Sequence, residues 1–374
     1  MTTTVKLSTE QEEIRGVARG FLQSRFPSDK VRELMATEDG FEEAVWKEIA
    51  DLGWTAIAVP EERGGAGYTT IERCLLLEEM GRVLYAGPFL SSAVLAADAL
   101  LLAADEELGA AALAAVVDGS VRATLVAGGD LLGDADVAGA VTATEAGGGW
   151  TLRGDGGLVL DGLTAQQLIV AARVEGAGVG LFAVDPGASG VEREAAATID
   201  ETRRTATVRF DGAAATRIDR GEGTEKALAE VLDRGVIAAA AEMAGGARQA
   251  IEMTVAYMNE REQFGGPIGR FQALKHRLAD LHVTIDGARE AVYNAADAVE
   301  SGDVAQVPMA AAAAKSSVSD GYALTTAEAV QLHGGIGFTE EHDIGLYYKR
   351  ALVGVPTLGT PLAHRQRIAA GLDA

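Results

Sequence analysis

Residues 261–281 read REQFGGPIGRFQALKHRLADL and join two long helical patterns through a glycine-rich turn. The run before this turn and the run after Gln272 both repeat apolar residues at the spacing of an amphipathic helix. Arg261 stands where the first helix would meet the turn, and a guanidinium group there can pair with phosphate in a forked geometry. The alternative is that Arg261 is only a solvated helix cap. The stretch therefore predicts a helical hairpin with a candidate anion site at its turn.

A second glycine-rich motif ends the next helical pattern. Residues 308–335 read PMAAAAAKSSVSDGYALTTAEAVQLHGG, and the motif itself continues to residue 338 as QLHGGIGF. Gly334 and Gly335 would let the backbone approach a ligand closely. The alternative is a helix C-cap, where glycine is also common. Three helical runs of this length are enough for a helix bundle.

Outward from this bundle, the sequence divides into three parts. Residues 1–118 are predicted to form an N-terminal helical domain, with Ser8 and Gln11 as a capping box. Residues 119–222 contain short β-prone runs separated by Gly, Asp and Pro, which predict a small middle barrel or sandwich. Residues 223–374 are predicted to form the C-terminal bundle. The predicted fold class is α+β, in the order helices, strands, helices.

Composition limits the function classes. The chain has 374 residues and a formal net charge of −23, which argues against nucleic acid and anionic membranes because both require a basic face. Cys74 is the only cysteine, so we expect no disulfide, no metal site and a cytoplasmic location. The most apolar stretch, residues 93–117, is broken by four acidic residues, and the N-terminus has no apolar signal core. Membrane insertion is therefore not expected.

Four segments together resemble the acyl-CoA dehydrogenase family, in the same order and over nearly the whole chain. They are LGWTAIAVPEERGGAGYT (52–69), LEEMGRVLYAGP (77–88), REQFGGPIGRFQ (261–272) and QLHGGIGF (331–338). The resemblance implies an N-terminal helical domain, a middle β-barrel-like domain and a C-terminal four-helix bundle. It also implies FAD as the cofactor, an acyl-CoA substrate that is oxidised to the 2,3-enoyl-CoA, and an electron-transferring flavoprotein as acceptor.

The resemblance assigns cofactor contacts residue by residue. Arg261, Gln272, Gln331 and Gly335 would contact the ADP part of FAD, and in the family these contacts reach the FAD of a neighbouring subunit. Gln263, Phe264 and Gly334 belong to the same two motifs and complete the expected cofactor-binding set. Thr360 is expected near the flavin end.

The sequence departs from the family at the catalytic base. In the family, a Glu in a Tyr-Glu-Gly-Thr segment takes the α-proton of the substrate. Without a gap, that segment falls on residues 357–360 of the stretch VPTLGTP (355–361), where Leu358 occupies the Glu position and Gly359 and Thr360 are retained. Leucine cannot accept a proton, so Leu358 marks the position of a missing base.

Some family members carry the base on the first long bundle helix, and that position falls here on Gly235. Asp233 lies only two residues away, which turns a helix by about 200°, so it cannot face the same site. Glu242 lies two turns further along on nearly the same face, in apolar surroundings that would raise its pKa. The alternative is that Glu242 is a buried carboxylate paired with Arg248 or with a neighbouring helix.

The middle domain also departs from the family. The segment VAGGDLLGDADVAG (126–139) replaces a flavin-binding turn, and GLVLDG (157–162) places Leu158 and Leu160 where the family has Trp and Thr. This pattern resembles the divergent chains of actinobacterial α2β2 acyl-CoA dehydrogenases of sterol side-chain breakdown. We therefore expect a base-deficient subunit of a tetramer, which forms either from copies of this chain or together with a paralogous chain. The alternatives are a self-sufficient homo-oligomer with its base at Glu242 or Asp233, and a structural homologue without chemistry.

Overall fold

A computed structural model describes residues 6–127, 137–303 and 305–372 of the chain. Helices come first, strands follow, and long helices complete the chain, so the predicted α+β order is confirmed. One continuous apolar core runs through both helical parts and reaches the inner face of the sheet. A second, smaller core lies within the sheet itself.

The first part is helical. Its elements are α1 (Thr9–Arg25), α2 (Ser28–Met35), α3 (Glu43–Asp51), α4 (Thr70–Arg82), α5 (Ala97–Leu102) and α6 (Glu106–Val117). The capping box predicted at Ser8 is confirmed, since Ser8 Oγ accepts from the Gln11 amide and Gln11 Oε1 accepts from the Ser8 amide. The apolar stretch after α4 begins with a buried π-helical segment, Phe89–Ala96, which continues into α5. No helix in the described ranges is long and apolar enough to cross a bilayer.

The middle part is a mixed sheet. Its strands are β1 (Ala123–Val126), β2 (Thr142–Ala146), β3 (Gly149–Leu160), β4 (Gln167–Val174), β5 (Gly178–Val184), β6 (Val191–Ala195) and β7 (Thr205–Arg217). Strands β2, β3, β7 and β5 follow one another by antiparallel pairing, and β4 pairs with both β5 and β2. These pairings close into a ring, which gives the barrel-like shape that the resemblance implies. Strand β1 joins β4 and strand β6 joins β7 outside the ring.

The last part is the bundle. Its helices are α7 (Thr224–Glu260), α8 (Gln272–Glu300), α9 (Val307–His333), α10 (Ile344–Gly354) and α11 (Pro361–Leu372). Helices α7, α8 and α9 pack along one another, α10 packs against α7 and α9, and α11 packs against α9. Helix α7 begins after Gly223, whose φ of +92° is a conformation that favours glycine.

Helices α4 and α7 are in backbone contact, and this contact joins the first part to the bundle. A Cβ atom at Gly245 would lie 1.8 Å from the carbonyl oxygen of Glu78, and one at Gly81 would lie 1.9 Å from that of Glu242. Neither position can carry a side chain unless the helices separate. Gly245 of α7 and Gly81 of α4 therefore let the two helices pack backbone against backbone, beside Glu242.

Candidate active site

The two glycine-rich motifs lie at the same end of the bundle. Because α7, α8 and α9 succeed one another with reversed direction, the end of α7, the start of α8 and the end of α9 share that end. Tyr257 of α7 stacks on His333 of α9 with ring centroids 4.5 Å apart. The Tyr257 hydroxyl also donates to the His333 carbonyl at 3.2 Å. The structure thus brings together two segments that are separated by about sixty residues in the sequence.

The turn after α7 is held by its own residues. Phe264 has a φ of +55°, and Arg270 donates to the carbonyls of Phe264 and Gly265 while its guanidinium stacks on Phe271 at 5.1 Å. The Phe264 ring is 84% exposed and packs edge-on against Phe271. Gln263 is exposed, and its amide donates to the Glu262 carbonyl at 2.7 Å.

The polar groups expected to bind cofactor face solvent at this end. Arg261, Gln272, Gln331 and Gly335 are all exposed. Within the described part of the chain, the Arg261 guanidinium forms no ion pair or hydrogen bond. A Cβ atom at Gly335 would meet nothing within 4 Å, and Gly334 has a φ of +64°. An unpaired cation and open backbone at the same end of the bundle fit the phosphate part of a dinucleotide.

The two expected positions of the base lie side by side. An ideal Cβ atom on Gly235 would lie 3.5 Å from Leu358 Cδ1 and 2.4 Å from Leu95 Cδ2. Leu358 takes a φ of +57° and packs against the main core. The two positions were identified by separate counts along the sequence, and they meet at one place where both lack a carboxylate. Two leucine side chains fill the space beside Gly235.

Thr360 lies far from Arg261 within one chain. It precedes α11, and its Oγ1 accepts from the Ala363 amide at 3.2 Å. Gly235 and Arg261 are about 39 Å apart along α7 at a rise of about 1.5 Å per residue. The group around Leu358 and the group around Arg261 therefore occupy opposite regions of the bundle.

Glu242 is buried in an ion-pair cluster. Its carboxylate accepts from Arg203 Nη2 at 2.5 and 2.6 Å and from Arg350 Nη1 at 2.6 Å, and Arg350 also pairs with Asp200 at 2.6 Å. The alternative named Arg248 or a neighbouring helix as the partner of a buried Glu242. Arg248 pairs with Glu78 instead, whereas the neighbouring helix α10 supplies Arg350, so the second form of the alternative is confirmed.

The predicted rise in the pKa of Glu242 is wrong. Burial disfavours the charged carboxylate, but Arg203 and Arg350 outweigh burial and lower the pKa of Glu242. Glu242 and Thr357 line a common cavity of only about 10 Å³, together with Arg203, Met243 and Tyr322.

Asp233 faces α11 and is held there. Arg367 donates both terminal nitrogens to its two carboxylate oxygens, one of them at 2.9 Å. Burial raises the pKa of Asp233, and the pairing with Arg367 opposes this rise. The structure therefore does not bring Asp233 together with Leu358.

The two leucines that stand where the family has Trp and Thr in the middle domain bring no polar side chain to that position. Leu160 is 3% exposed and packs in the main core, while its carbonyl accepts from Thr124 Oγ1 at 2.7 Å. Leu158 carries no polar group either. The segment 126–139, which replaces the family's flavin-binding turn, lies mostly outside the described residues, which omit 128–136. Where the chain is described, no cluster of three or more His, Cys, Asp or Glu side chains could hold a metal ion.

Two residues of this region were missed by the sequence reasoning. Leu95 of the π-helical segment packs against Gly235, and no sequence pattern predicts this contact. Lys315 of α9 is fully buried and binds backbone carbonyls of the loop that carries Leu358. A signal for Lys315 was present in the sequence, since it is a lone cation within the run AAAAAKSSVS.

Comparison with known proteins places these features in context. A family model described as the acyl-CoA dehydrogenase N-terminal domain matches residues 8–120, and one described as the acyl-CoA dehydrogenase C-terminal domain matches residues 221–372. Acyl-CoA dehydrogenase IpdE2 of Mycobacterium tuberculosis is 33% identical over 94% of this chain and 94% of its own length.

Two solved structures have a similar fold. A variant of the Tcur3481-Tcur3483 steroid ACAD has a TM-score of 0.86 and 32% identity, with 97% of this chain and 98% of that chain covered. The ChsE4-ChsE5 complex from Mycobacterium tuberculosis has a TM-score of 0.89 and 27% identity, with 98% of each chain covered.

Proposed function

This chain belongs to the acyl-CoA dehydrogenase family, and from that premise we propose that it is a base-deficient subunit of an FAD-dependent acyl-CoA dehydrogenase that works with a paralogous partner. The single observation that carries the proposal is the meeting of Gly235 and Leu358. Both expected sources of the base converge there, and neither can accept a proton. The partner would supply the carboxylate that removes the α-proton.

The chain's own contribution lies at the other end of the bundle. FAD, when bound, would accept the hydride that leaves the substrate Cβ. The exposed Arg261 would pair with the diphosphate of a neighbouring subunit's FAD, and Gln272 and Gln331 would donate to its adenosine part. The open backbone at Gly335 would allow close approach. Since this group is about 39 Å from Gly235 along α7, the two ends would serve two different sites.

A self-sufficient enzyme with its base at Glu242 or Asp233 is the rival proposal. A general base must accept a proton and must reach the substrate α-carbon. Glu242 is committed to Arg203 and Arg350, which hold its pKa low and make it a poor proton acceptor. Asp233 is committed to Arg367. These ion pairs favour a base on a partner chain.

A scaffolding homologue without flavin is the second rival. A scaffold has no need for an uncommitted Arg261 beside an open Gly335. The presence of both favours a cofactor role, and the flavin content of the purified protein separates the two proposals. The similar structures named as a steroid ACAD and as the ChsE4-ChsE5 complex support a tetramer built from two kinds of chain. They also support a sterol-derived acyl-CoA as the substrate. An electron-transferring flavoprotein is the proposed electron acceptor.

The experiment is to purify the chain alone and after co-expression with a paralogous chain that carries Glu in the Tyr-Glu-Gly-Thr segment. Native mass and flavin absorbance per chain are then measured. We expect little flavin on the chain alone, and a flavin-bearing heterotetramer after co-expression. One flavin per chain in the chain purified alone would contradict the partner proposal, and no flavin in either sample would favour a scaffold.

A further inference from the structure

The segment from the last residue of α10 to the residue before α11, residues 354–360, turns its backbone carbonyls inward. This base-slot loop carries Leu358 at a φ of +57° and Gly359 at +107°. Its own hydrogen bonds include Gly359 N to Pro356 O at 3.0 Å and Thr357 Oγ1 to Val353 O at 2.7 Å. These contacts leave the carbonyls of Gly354, Val355 and Leu358 to be satisfied by groups outside the loop.

Lys315 satisfies two of these carbonyls. Its Nζ donates to Val355 O at 2.8 Å and to Gly354 O at 3.2 Å, and it lies 3.5 Å from Gly359 O. The same Nζ lies 3.1 Å from Ser319 Oγ, one helical turn along α9. An ammonium group has three protons, which match the three nearer acceptors. A single side chain of α9 therefore binds the start of the loop and lies close to its other end at Gly359.

His364 of α11 holds the remaining carbonyl. Its Nε2 lies 2.9 Å from Leu358 O, and because a carbonyl only accepts, Nε2 carries the proton. Burial and the nearby Lys315 lower the pKa of His364 to about 4, so the ring is neutral near pH 7. His364 is the titratable group that faces Lys315 in this cluster. Among the described residues no carboxylate pairs with Lys315.

A buried lysine without a carboxylate partner needs an explanation. Removing a charge from water costs several kcal/mol unless polar groups replace the water, and here three acceptors surround Nζ in place of water. The acceptors that replace water here belong mainly to one short loop. An apolar side chain of the same length would fill the space in α9 but would leave two carbonyls without a donor.

We propose that Lys315 is a positioning residue whose ammonium group holds the base-slot loop in place, with Leu358 against Gly235 and Thr360 at the start of α11. That this loop belongs to a substrate site rests on the function proposed above. The placement of the loop by Lys315 is a separate claim about the free chain. Its test needs no flavin, substrate or partner, so the two can fail independently.

The test compares Lys315→Met with Ser319→Ala by hydrogen exchange of the wild-type chain and both variants at one pH. Methionine keeps the length of the side chain but cannot donate, so we expect amide exchange in residues 355–364 to rise about tenfold or more. Ser319→Ala removes a neighbour of Nζ that is not part of the loop, and exchange there should stay within about threefold of wild type. Peptides from the middle of α9 and from α4 should be unchanged in both variants.

A second readout is the methyl resonance of Leu358 in the wild-type chain, followed against pH. Burial lowers the pKa of Lys315 to about 7, so the resonance should titrate with a midpoint near 7, away from that of His364. The titration should vanish in Lys315→Met. Unchanged loop exchange in a folded Lys315→Met chain would overturn the proposal. If that variant does not fold, the same exchange comparison is made with Lys315→Gln, whose shorter side chain lacks the ammonium group, and unchanged loop exchange in that folded variant would overturn the proposal.

Discussion

Leu358 occupies a left-handed backbone conformation that costs a residue with a Cβ atom about 1–2 kcal/mol. Such a conformation persists only where its surroundings determine it. Here Lys315 and His364 bind the loop from inside, and Gly235 leaves room for the leucine side chain. The loop therefore keeps a defined shape although the Leu358 side chain cannot act as a base.

Arg261→Ala should weaken FAD retention much more than folding. The Arg261 side chain is exposed and has no partner within the described part of the chain, so its loss should change the free energy of unfolding of the flavin-free protein by less than about 0.5 kcal/mol. A phosphate-paired guanidinium at an interface contributes about 2–5 kcal/mol to the contact. The measurement is the melting temperature of the assembled protein with and without FAD.

The matched control for Arg261→Ala is Lys275→Ala, which removes an exposed cation in the first turn of α8, at the same end of the bundle as Arg261. Lys275→Ala should leave FAD retention unchanged. An equal loss of stability in the flavin-free and flavin-bound forms of Arg261→Ala would show that Arg261 is a structural cap.

Glu242→Gln should destabilise the fold rather than abolish chemistry. It removes the buried charge that Arg203 and Arg350 share, and breaking such a pair costs about 3–5 kcal/mol. The measurement is urea unfolding together with acyl-CoA oxidation in the presence of the partner. The control is Glu230→Gln, whose pair with Arg234 is partly exposed and contributes about 1 kcal/mol or less. A rate loss of about 10²–10⁴-fold with the fold and flavin intact would make Glu242 the base.

Single residues also show where sequence reasoning stops. Counting from the motifs identified Gly235 and Leu358, because local spacing is preserved within helices and short loops. The helical repeat placed Glu242 on nearly the same face of α7 as Gly235, but it could not identify the side chains that pair with Glu242. Arg203 lies between β6 and β7, so only the packing of the middle part on the bundle brings it to Glu242, whereas Arg350 reaches Glu242 from α10 through packing within the bundle.

At the level of elements, the long helices were predictable and two strands were not. Helices α7, α8 and α9 have apolar residues at helical spacing over many turns, which is the strongest signal a sequence offers. Strands β2 (TATEA) and β6 (VEREA) are short and largely exposed, so their apolar alternation is weak. These strands form because β2 pairs with β3 and β6 pairs with β7. Such pairing is a tertiary contact, so the local sequence of a short strand does not reveal it.

Gly245→Ala should be strongly destabilising because of the contact between α4 and α7. The added methyl would lie 1.8 Å from the backbone of Glu78, so the helices must separate. We expect a loss of about 3 kcal/mol or more, at the upper end of overpacking costs. Gly287→Ala in α8 is the control, since a Cβ atom there meets nothing within 4 Å and should stabilise by about 0.5–1 kcal/mol. Equal melting temperatures for the two variants would contradict the close packing of α4 on α7.

The docking of α11 should depend on pH through His364. Burial lowers the pKa of His364 from the ordinary 6.5 to about 4. Between these two values the unfolded chain binds the additional proton, so the stability that the neutral ring contributes is full above pH 6.5 and is lost as the pH falls towards 4. His364→Gln keeps a donor for Leu358 O but does not titrate. Unfolding midpoints measured from pH 7 to pH 4 should fall more steeply for the wild-type chain, and parallel curves would contradict this.

At the scale of the whole molecule, exposed apolar side chains accompany the cofactor motifs. Phe264 and Phe338 are 84% and 77% exposed at the same end of the bundle as Arg261. Large exposed apolar groups beside an uncommitted cation fit a surface that another subunit covers. The chain therefore combines one end suited to assembly with a base slot that is filled by leucines. This combination is the reason for proposing a shared active site.

The most direct test of this account is substrate-dependent flavin reduction under anaerobic conditions. FAD is added in excess to the chain alone and to its complex with a Glu-bearing paralogous chain, a panel of acyl-CoA thioesters is then added to each, and flavin absorbance is followed in a stopped-flow instrument. The account predicts that the complex bleaches with at least one thioester, and that the chain alone bleaches with none. Rapid bleaching of the chain alone, at a rate equal to that of the complex, would show that this chain carries its own base and would contradict the account.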